Sequence, residues 1–212
     1  MKQNSSINLY LKENKILDGL LKKAYIEKIP VVDKNTGRFL ELICILANPR
    51  NILEIGCGIG FSSYFMIKNL KDGKYTGIDL NAERAKRAEE FIRRNFPEKK
   101  CRFITGNALK IIPELGSKYD MVFIDGAKHE YPFYIKIVKS KLRKNALIIA
   151  DNIFYKNKIF NKKVGSHDLN SVSGIREYID YVTNDRYFES NFFDIGDGLS
   201  VVKYIKPYSK RI

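Results

Sequence analysis

From Asn51 onward the chain alternates short apolar runs with helical segments, a pattern that few folds satisfy. The spacing predicts strands over Asn51 to Ile55, Tyr75 to Asp79, Arg102 to Thr105, Asp120 to Ile124 and Ala146 to Ala150. Helices are predicted over Phe61 to Leu70, Ala82 to Phe96, Ala108 to Leu115, Tyr134 to Leu142 and Val172 to Val182. Strand and helix in strict succession imply right-handed crossovers and a parallel sheet covered on both faces. The last two runs, Tyr187 to Ile195 and Leu199 to Ile205, are joined by Gly196-Asp197-Gly198, which fits an antiparallel hairpin. The expected fold is α/β: a doubly wound, Rossmann-like, mostly parallel sheet with a C-terminal antiparallel hairpin.

Before Asn51 the apolar residues Ile16, Leu17, Leu20, Leu21 and Ala24 recur at helical spacing, so a covering helix is expected to about Ile29, broken by Pro30. Asn35 to Gly37 reads as a turn, and Phe39, Leu40, Leu42, Ile43 and Leu46 as a second amphipathic helix ending near Pro49. No repeat or linker interrupts the 212 residues, so one domain is expected, with residues 1–50 as covering helices and 51–212 as the core. No apolar run approaches the roughly 18 residues of a membrane helix. The opening MKQNSSINLY lacks the apolar region of an export signal, and a cytoplasmic location is the default. Cys44, Cys57 and Cys101 have no metal-ligand spacing and read as reduced, buried thiols.

The turn after the first strand is Glu54-Ile55-Gly56-Cys57-Gly58-Ile59-Gly60, where glycines let backbone approach a ligand beyond the strand ends. A dinucleotide fingerprint counted from Gly56 needs glycine at its sixth position, which is Phe61. A carboxylate at Glu54 would repel a pyrophosphate but stabilise a ligand carrying an ammonium and a sulfonium, which favours S-adenosylmethionine over NAD. Asp79 ends the second strand where an acid can accept ribose hydroxyls, or can cap the helix from Ala82. Asn107, after the third strand, offers an amide to an adenine edge. Asp125 follows the fourth strand, and Asp151-Asn152 follows the fifth. Two carboxylates and a carboxamide at adjacent strand ends are hard oxygen ligands suited to Mg2+ or another divalent cation; the alternative, two helix caps, leaves their adjacency unexplained.

With FIDGAK at Phe123 to Lys128 and ADN at Ala150 to Asn152, the chain resembles the divalent-metal-dependent family 3 O-methyltransferases, which include the catechol and caffeoyl-CoA enzymes. The likeness runs from Ile29-Pro30 to Gly196-Asp197-Gly198-Leu199. It implies a class I methyltransferase fold, with Asp125, Asp151 and Asn152 as metal ligands and Lys128 as the base that deprotonates the accepting hydroxyl. Around the cofactor it implies Glu54, Gly56, Ser62, Asp79 and Ala108, with Asp125 near the cofactor amine; Val32, Gly58 and Asn107 complete the expected cofactor set. The chain departs from the family at Gly58 and at His129-Glu130. Methyl transfer is an in-line displacement, so the demands are proximity and an anionic oxygen, and a cation chelating two neighbouring substrate oxygens serves both. A lysine base works there only if a neighbouring cation favours its neutral form.

Adjacent oxygens occur in catechols and also in 5-hydroxyuridine, through its 5-hydroxyl and 4-carbonyl. A subgroup of the family methylates that base in the tRNA anticodon loop, and this chain resembles it in length and in Tyr25-Ile26-Glu27-Lys28-Ile29-Pro30. The charge agrees with an RNA partner: 38 Lys and Arg against 24 Asp and Glu give +14 and a pI near 9.6. The excess concentrates at Lys136, Lys139, Lys141, Arg143, Lys144, Lys156, Lys158, Lys162 and Lys163, expected to flank the metal site, with Lys203, Lys206, Lys210 and Arg211 in the tail. The same lysines can be a solvated face. tRNA is therefore the expected partner and a small catechol-like substrate the alternative; a homodimer is compatible with the sequence. From other classes, an NAD-dependent oxidoreductase would share the fold, and a non-catalytic RNA-binding module would explain the charge but leave Asp125, Asp151 and Asn152 without a role.

Overall fold

A computed structural model describes residues 14–205, so the opening MKQNSSINLY and the tail cations Lys206, Lys210 and Arg211 lie outside the described residues. The chain divides into two compact units, Met1–Val31 and Val32–Ile212. In the first, helix α1 (Lys15–Ile26) begins where the Asn14 side chain accepts a hydrogen bond from the Leu17 N–H at 3.2 Å.

The second unit opens with α2 (Lys34–Ala47), one turn earlier than the sequence predicts. The expected turn at Asn35 to Gly37 is corrected to the first turn of this helix, because the Asp33 carboxylate accepts from the Asn35 and Thr36 N–H groups at 2.7 and 3.1 Å and caps it. Gly37 then serves packing: a Cβ there would lie 2.3 Å from the Phe65 ring. The helix stops at Asn48, in the left-handed region at φ 44°, ahead of Pro49.

Seven strands follow: β1 (Asn51–Ile55), β2 (Lys74–Asp79), β3 (Lys100–Thr105), β4 (Tyr119–Ile124), β5 (Leu142–Ala150), β6 (Phe188–Phe193) and β7 (Leu199–Tyr204). Between them lie α3 (Phe61–Lys68), α4 (Ala82–Asn95), α5 (Ala108–Glu114), α6 (Tyr131–Lys139) and α7 (Ser166–Asn184). The order across the sheet is β3-β2-β1-β4-β5-β7-β6, parallel through β5 and antiparallel at β7 and β6. This is the expected doubly wound sheet with its terminal hairpin. The central strands are apolar on both sides because helices cover both faces: Ile52, Leu53, Val122, Phe123, Ile148 and Ile149 are all fully buried.

The elements differ from the predicted ones mainly at their starts. α6 begins at Tyr131 because Pro132, which lacks an N–H, sits in the first turn where none is needed. β5 begins at Leu142, but its pairing with β4 jumps from Tyr119↔Leu142 to Met121↔Leu147, so Arg143 to Ala146 bulge out of the ladder with Asn145 at φ 65°. The hairpin connection is longer than Gly196 to Gly198, running from Asp194, and it braces the segment after β5: the Ile153 and Phe154 N–H groups donate to the Gly198 and Asp197 carbonyls at 3.0 and 2.9 Å.

One close approach ties a distant helix to the turn after β4. A Cβ on Gly174 of α7 would lie 2.6 Å from the His129 Cα and 2.7 Å from the Lys128 carbonyl oxygen, both backbone atoms. Gly174→Ala is therefore expected to cost about 1–3 kcal/mol, read as a drop in Tm on the order of 2–4 °C per kcal/mol. An unchanged melting temperature would show that helix and turn are not held this close.

Candidate active site

Because β1, β2, β4 and β5 run parallel, their carboxyl ends fall on one edge, and the backbone continues the ladder just beyond them. The Gly56 N–H donates to the Ile78 carbonyl at 2.8 Å, Asp125 to Ile55 at 2.8 Å, and Asp151 to Ile124 at 3.0 Å. The turns that bear the expected functional residues are thus fixed to one another, at the point where strand order reverses about β1 and β4. Gly56 is required there: its φ is 90°, and a Cβ would lie 2.3 Å from the Asp125 carbonyl oxygen. Gly58, at φ 52°, has nothing within 4 Å of the place its Cβ would take, so the turn faces open space.

A cavity of about 430 Å³ opens beside this turn, in the size range of small-ligand sites. Gly56, Asp79, Asn107, Ala108 and Asp125 line it, joined by Glu130, which the cofactor reading did not include. Asp79 works on both sides of its turn: its carboxylate accepts from the Gly58 N–H and from the Asn81 N–H, each at 2.8 Å. The cap of α4 is Asn81, not Asp79. The oxygen of the Asn107 amide accepts from the Leu109 N–H at 2.8 Å, leaving its NH2 for the cavity.

Val32, Glu54 and Ser62 are buried and do not line the cavity. Glu54 instead accepts hydrogen bonds from the hydroxyls of Ser62, Ser63 and Tyr75. Gly77 lies opposite Glu54 in the β1–β2 register, and a Cβ there would come within 2.7 Å of the Tyr75 hydroxyl, so glycine makes the space in which Tyr75 reaches the carboxylate. Burial pushes the Glu54 carboxyl up to about 7 despite three donors that pull it down, with the Asp125 charge adding to the rise. Sequence reading missed Ser63 and Tyr75; the signal was an alternation that places Tyr75 and Glu54 on one face of neighbouring strands.

At the β4 and β5 ends, the Lys128 ammonium donates to the Asp125 carboxylate at 2.7 Å and to the Tyr131 hydroxyl at 2.8 Å. Tyr131, fully buried, donates in turn to the Asp151 carbonyl at 2.9 Å. This tyrosine was also missed, although its place three residues after Lys128 puts both on one face of a helical turn. Asp151 is 2% exposed, and burial together with the nearby Asp125 charge raises its carboxyl to about 7. Asn152 follows with φ 56°. Among the described residues no third His, Cys, Asp or Glu joins Asp125 and Asp151 in a metal-binding group. The donor set still fits a hard divalent cation: two carboxylates that repel each other, one buried, beside a carboxamide.

The basic residues do not form one patch. Lys136 pairs with Glu177 at 3.0 Å, Lys139 and Lys158 pair with Asp185 and Asp168 at 2.5 Å each, and Lys141 donates to the Pro113 and Leu115 carbonyls at 2.7 Å. Arg143 and Lys144 lie at the start of β5, the end of the sheet opposite Asp151, so the expectation that they flank the metal site is corrected. Lys156, Lys162 and Lys163, on the segment after Asn152, have no acidic partner among the described residues. Cys44 and Cys57 are buried and Cys101 partly so, all as free thiols, with burial raising each.

Comparison with known proteins places this geometry. The family model described as O-methyltransferase matches residues 5–205. The chain is 29% identical over 160 residues to a catechol O-methyltransferase of Niastella koreensis, covering 70% of this chain and 72% of that one. It is 26% identical over 192 residues to caffeoyl-CoA O-methyltransferase 2 of Populus trichocarpa, covering 84% and 76%. Among solved structures it shares its fold with the O-methyltransferase TomG of Streptomyces achromogenes (TM-score 0.86, 23% identity, 97% and 100% covered). It shares it also with an O-methyltransferase of Bacillus cereus (TM-score 0.84, 22% identity, 93% and 94% covered).

The buried carboxyl of Glu54 sets a pH signature. Its folded value, about 7, lies above the ordinary 4.5, so the folded state holds a proton that the unfolded state has released. Stability from this group is full below pH 4.5 and is lost as pH rises through 7, a change of roughly 3 kcal/mol. Glu54→Gln is expected to lose this slope, so the stability difference between variant and wild type, from urea unfolding across pH 4.5 to 7.5, should move in the variant's favour as pH rises. A difference independent of pH would mean that Glu54 is not buried as described.

Proposed function

The chain belongs to the O-methyltransferase family, and on that premise we propose that it moves a methyl group from S-adenosylmethionine to a hydroxyl on a substrate that presents two adjacent oxygens. The observation that carries this reading is the placement of Asp125, Asp151, Asn152 and Lys128 at two neighbouring strand ends beside the glycine-lined cavity. S-adenosylmethionine supplies the electrophilic methyl group, and the glycine turn, Asp79, Asn107 and Ala108 hold it, with Glu54 and Ser62 supporting the turn from below. A divalent cation at Asp125, Asp151 and Asn152 supplies Lewis-acid polarisation of the acceptor oxygens. With the cation in place, Lys128 acting as the neutral amine would take up the proton released by the hydroxyl at its Nζ and become the ammonium, which Asp125 and Tyr131 hold in place. Tyr131 spans the two strands and keeps the lysine in register with Asp151. Family membership sets aside the NAD-dependent oxidoreductase and the silent RNA-binding module.

For the substrate, likeness to relatives named for catechol and caffeoyl-CoA favours a small ortho-dioxygenated phenol. A second reading, 5-hydroxyuridine in the tRNA anticodon loop, is favoured by the unpaired Lys156, Lys162 and Lys163 and by Phe160, 65% exposed on the same segment, a surface suited to phosphates and a stacked base.

Two outcomes test this reading. Methyl transfer, assayed with labelled S-adenosylmethionine and Mg2+ on a catechol panel and on tRNA lacking the modification, is expected to stop on chelation with EDTA. Asp151→Ala should reduce it by on the order of 100-fold or more, the scale seen when groups that stabilise a developing charge are removed, with the fold intact by circular dichroism. Full turnover in EDTA, or in the variant, would remove the cation from the account; tighter binding of NAD than of S-adenosylhomocysteine would remove the cofactor.

A further inference from the structure

A second concavity lies at the opposite end of the sheet from the site above. It has a volume of about 490 Å³ and forms where the end of α2, the start of β1, the bulge of β5 and β7 meet. Its charged and polar wall is Arg50, Asp120, Arg143, Lys144, Asn145 and Lys203. Four cations thus face one acid, and that acid is occupied: one Asp120 oxygen accepts from the Arg50 and Asn51 N–H groups at 3.0 and 2.8 Å, while the other lies 3.7 Å from the Arg143 Nε. Arg50, Lys144 and Lys203 have no acidic partner among the described residues; Glu189 stands opposite Lys203 in the β6–β7 register without an ion pair to it.

The concavity is a consequence of the backbone. Between Tyr119 and Met121 on β4 the partner strand advances from Leu142 to Leu147, and the extra residues leave the ladder as a bulge that carries Arg143 and Lys144. The bulge closes through Asn145 at φ 65°, a conformation that asparagine tolerates better than most residues. A solvated face needs neither a hollow nor a bulge, and it pairs its charges or spreads them. Converging cations in a cavity of this size fit a ligand with closely spaced negative charges, and guanidinium groups match phosphate oxygens in geometry as well as charge. Asp125 lies five residue steps beyond Asp120 along β4 and its end, about 16 Å at 3.3 Å per residue, so an occupant here would not touch the methyl-transfer site.

We propose that this cleft is a second ligand site, which binds clustered phosphates, either of a free polyphosphate or nucleotide or of an RNA backbone. It is independent of the reading of the active site. The test is calorimetric titration of the full chain with sodium tripolyphosphate, repeated with ATP and with bulk tRNA, in wild type and in the Arg50→Ala/Lys144→Ala double variant. Both positions are exposed, so the variant should melt with wild type. The expected result is saturable binding of one tripolyphosphate per chain, weakened by about tenfold or more in the variant, as loss of charge-assisted contacts requires, and weakened by added salt. A Lys86→Ala/Lys110→Ala variant, with the same loss of charge on exposed helix positions outside the cleft, should bind as wild type. Competition by tRNA, with its affinity lowered in the same double variant, would identify an RNA backbone; competition by ATP alone would identify a free polyphosphate. Absence of saturable tripolyphosphate binding, or equal binding in both double variants and wild type, would overturn the proposal.

Discussion

The contact on which the site depends is the one between Gly56 and the Asp125 backbone. With no Cβ at Gly56, the turn after β1 can close against the turn after β4, and a methyl group there would stand 2.3 Å from a carbonyl oxygen. The contact joins the two strands at which sheet order reverses, so it fixes the crevice in which helices on opposite faces part. Everything expected to act is measured from it. Asp79 holds Gly58 and so shapes one side of the crevice, and Lys128, three residues past Asp125, shapes the other.

Buried acids add a second constraint. Glu54 and Asp151 are both shielded from water and both raised to about 7, but their surroundings differ. Glu54 is surrounded by three hydroxyl donors, which satisfy it without a cation and make it a brace for the glycine turn. Asp151 has one backbone N–H, from Asn152, at 2.7 Å and the charge of Asp125 nearby. Desolvated carboxylates that repel one another are costly to keep charged, and a positive ligand at that place relieves the cost. The same chemistry therefore gives one acid a structural part and the other a proposed part in binding.

Much of this was legible in the sequence. Short apolar runs set between helical segments located all seven strands, because the central strands β1 and β4 and the end of β5 are apolar on both sides and the two hairpin runs meet at Gly196 to Gly198. Asp125, Asp151 and Asn152 stand at the strand ends the sequence predicts, because they follow such runs. Less visible was what depends on neighbours distant in sequence. The Asp33 cap turned an apparent loop into a helix, and at the start of β5, the end of the sheet opposite Asp151, a bulge carries Arg143 and Lys144 out of the ladder. Tyr75 and Tyr131 looked like core residues, and are, but each also sends a hydroxyl to a strand end, Tyr75 to Glu54 and Tyr131 to the Asp151 carbonyl. Burial of Glu54 out of the cavity wall depends on Ser63 and Gly77, which no motif spacing singles out.

The central claim is that one crevice, at the carboxyl ends of β1, β2, β4 and β5, holds both the methyl donor and a divalent cation. Crystals grown with S-adenosylhomocysteine and Mn2+, measured at the manganese absorption edge, test it most directly. The account predicts a single strong anomalous peak bonded to oxygens of Asp125, Asp151 and Asn152, with the nucleoside between Asp79 and Asn107. A manganese peak at other residues, or the nucleoside bound with no peak at those three, would contradict it.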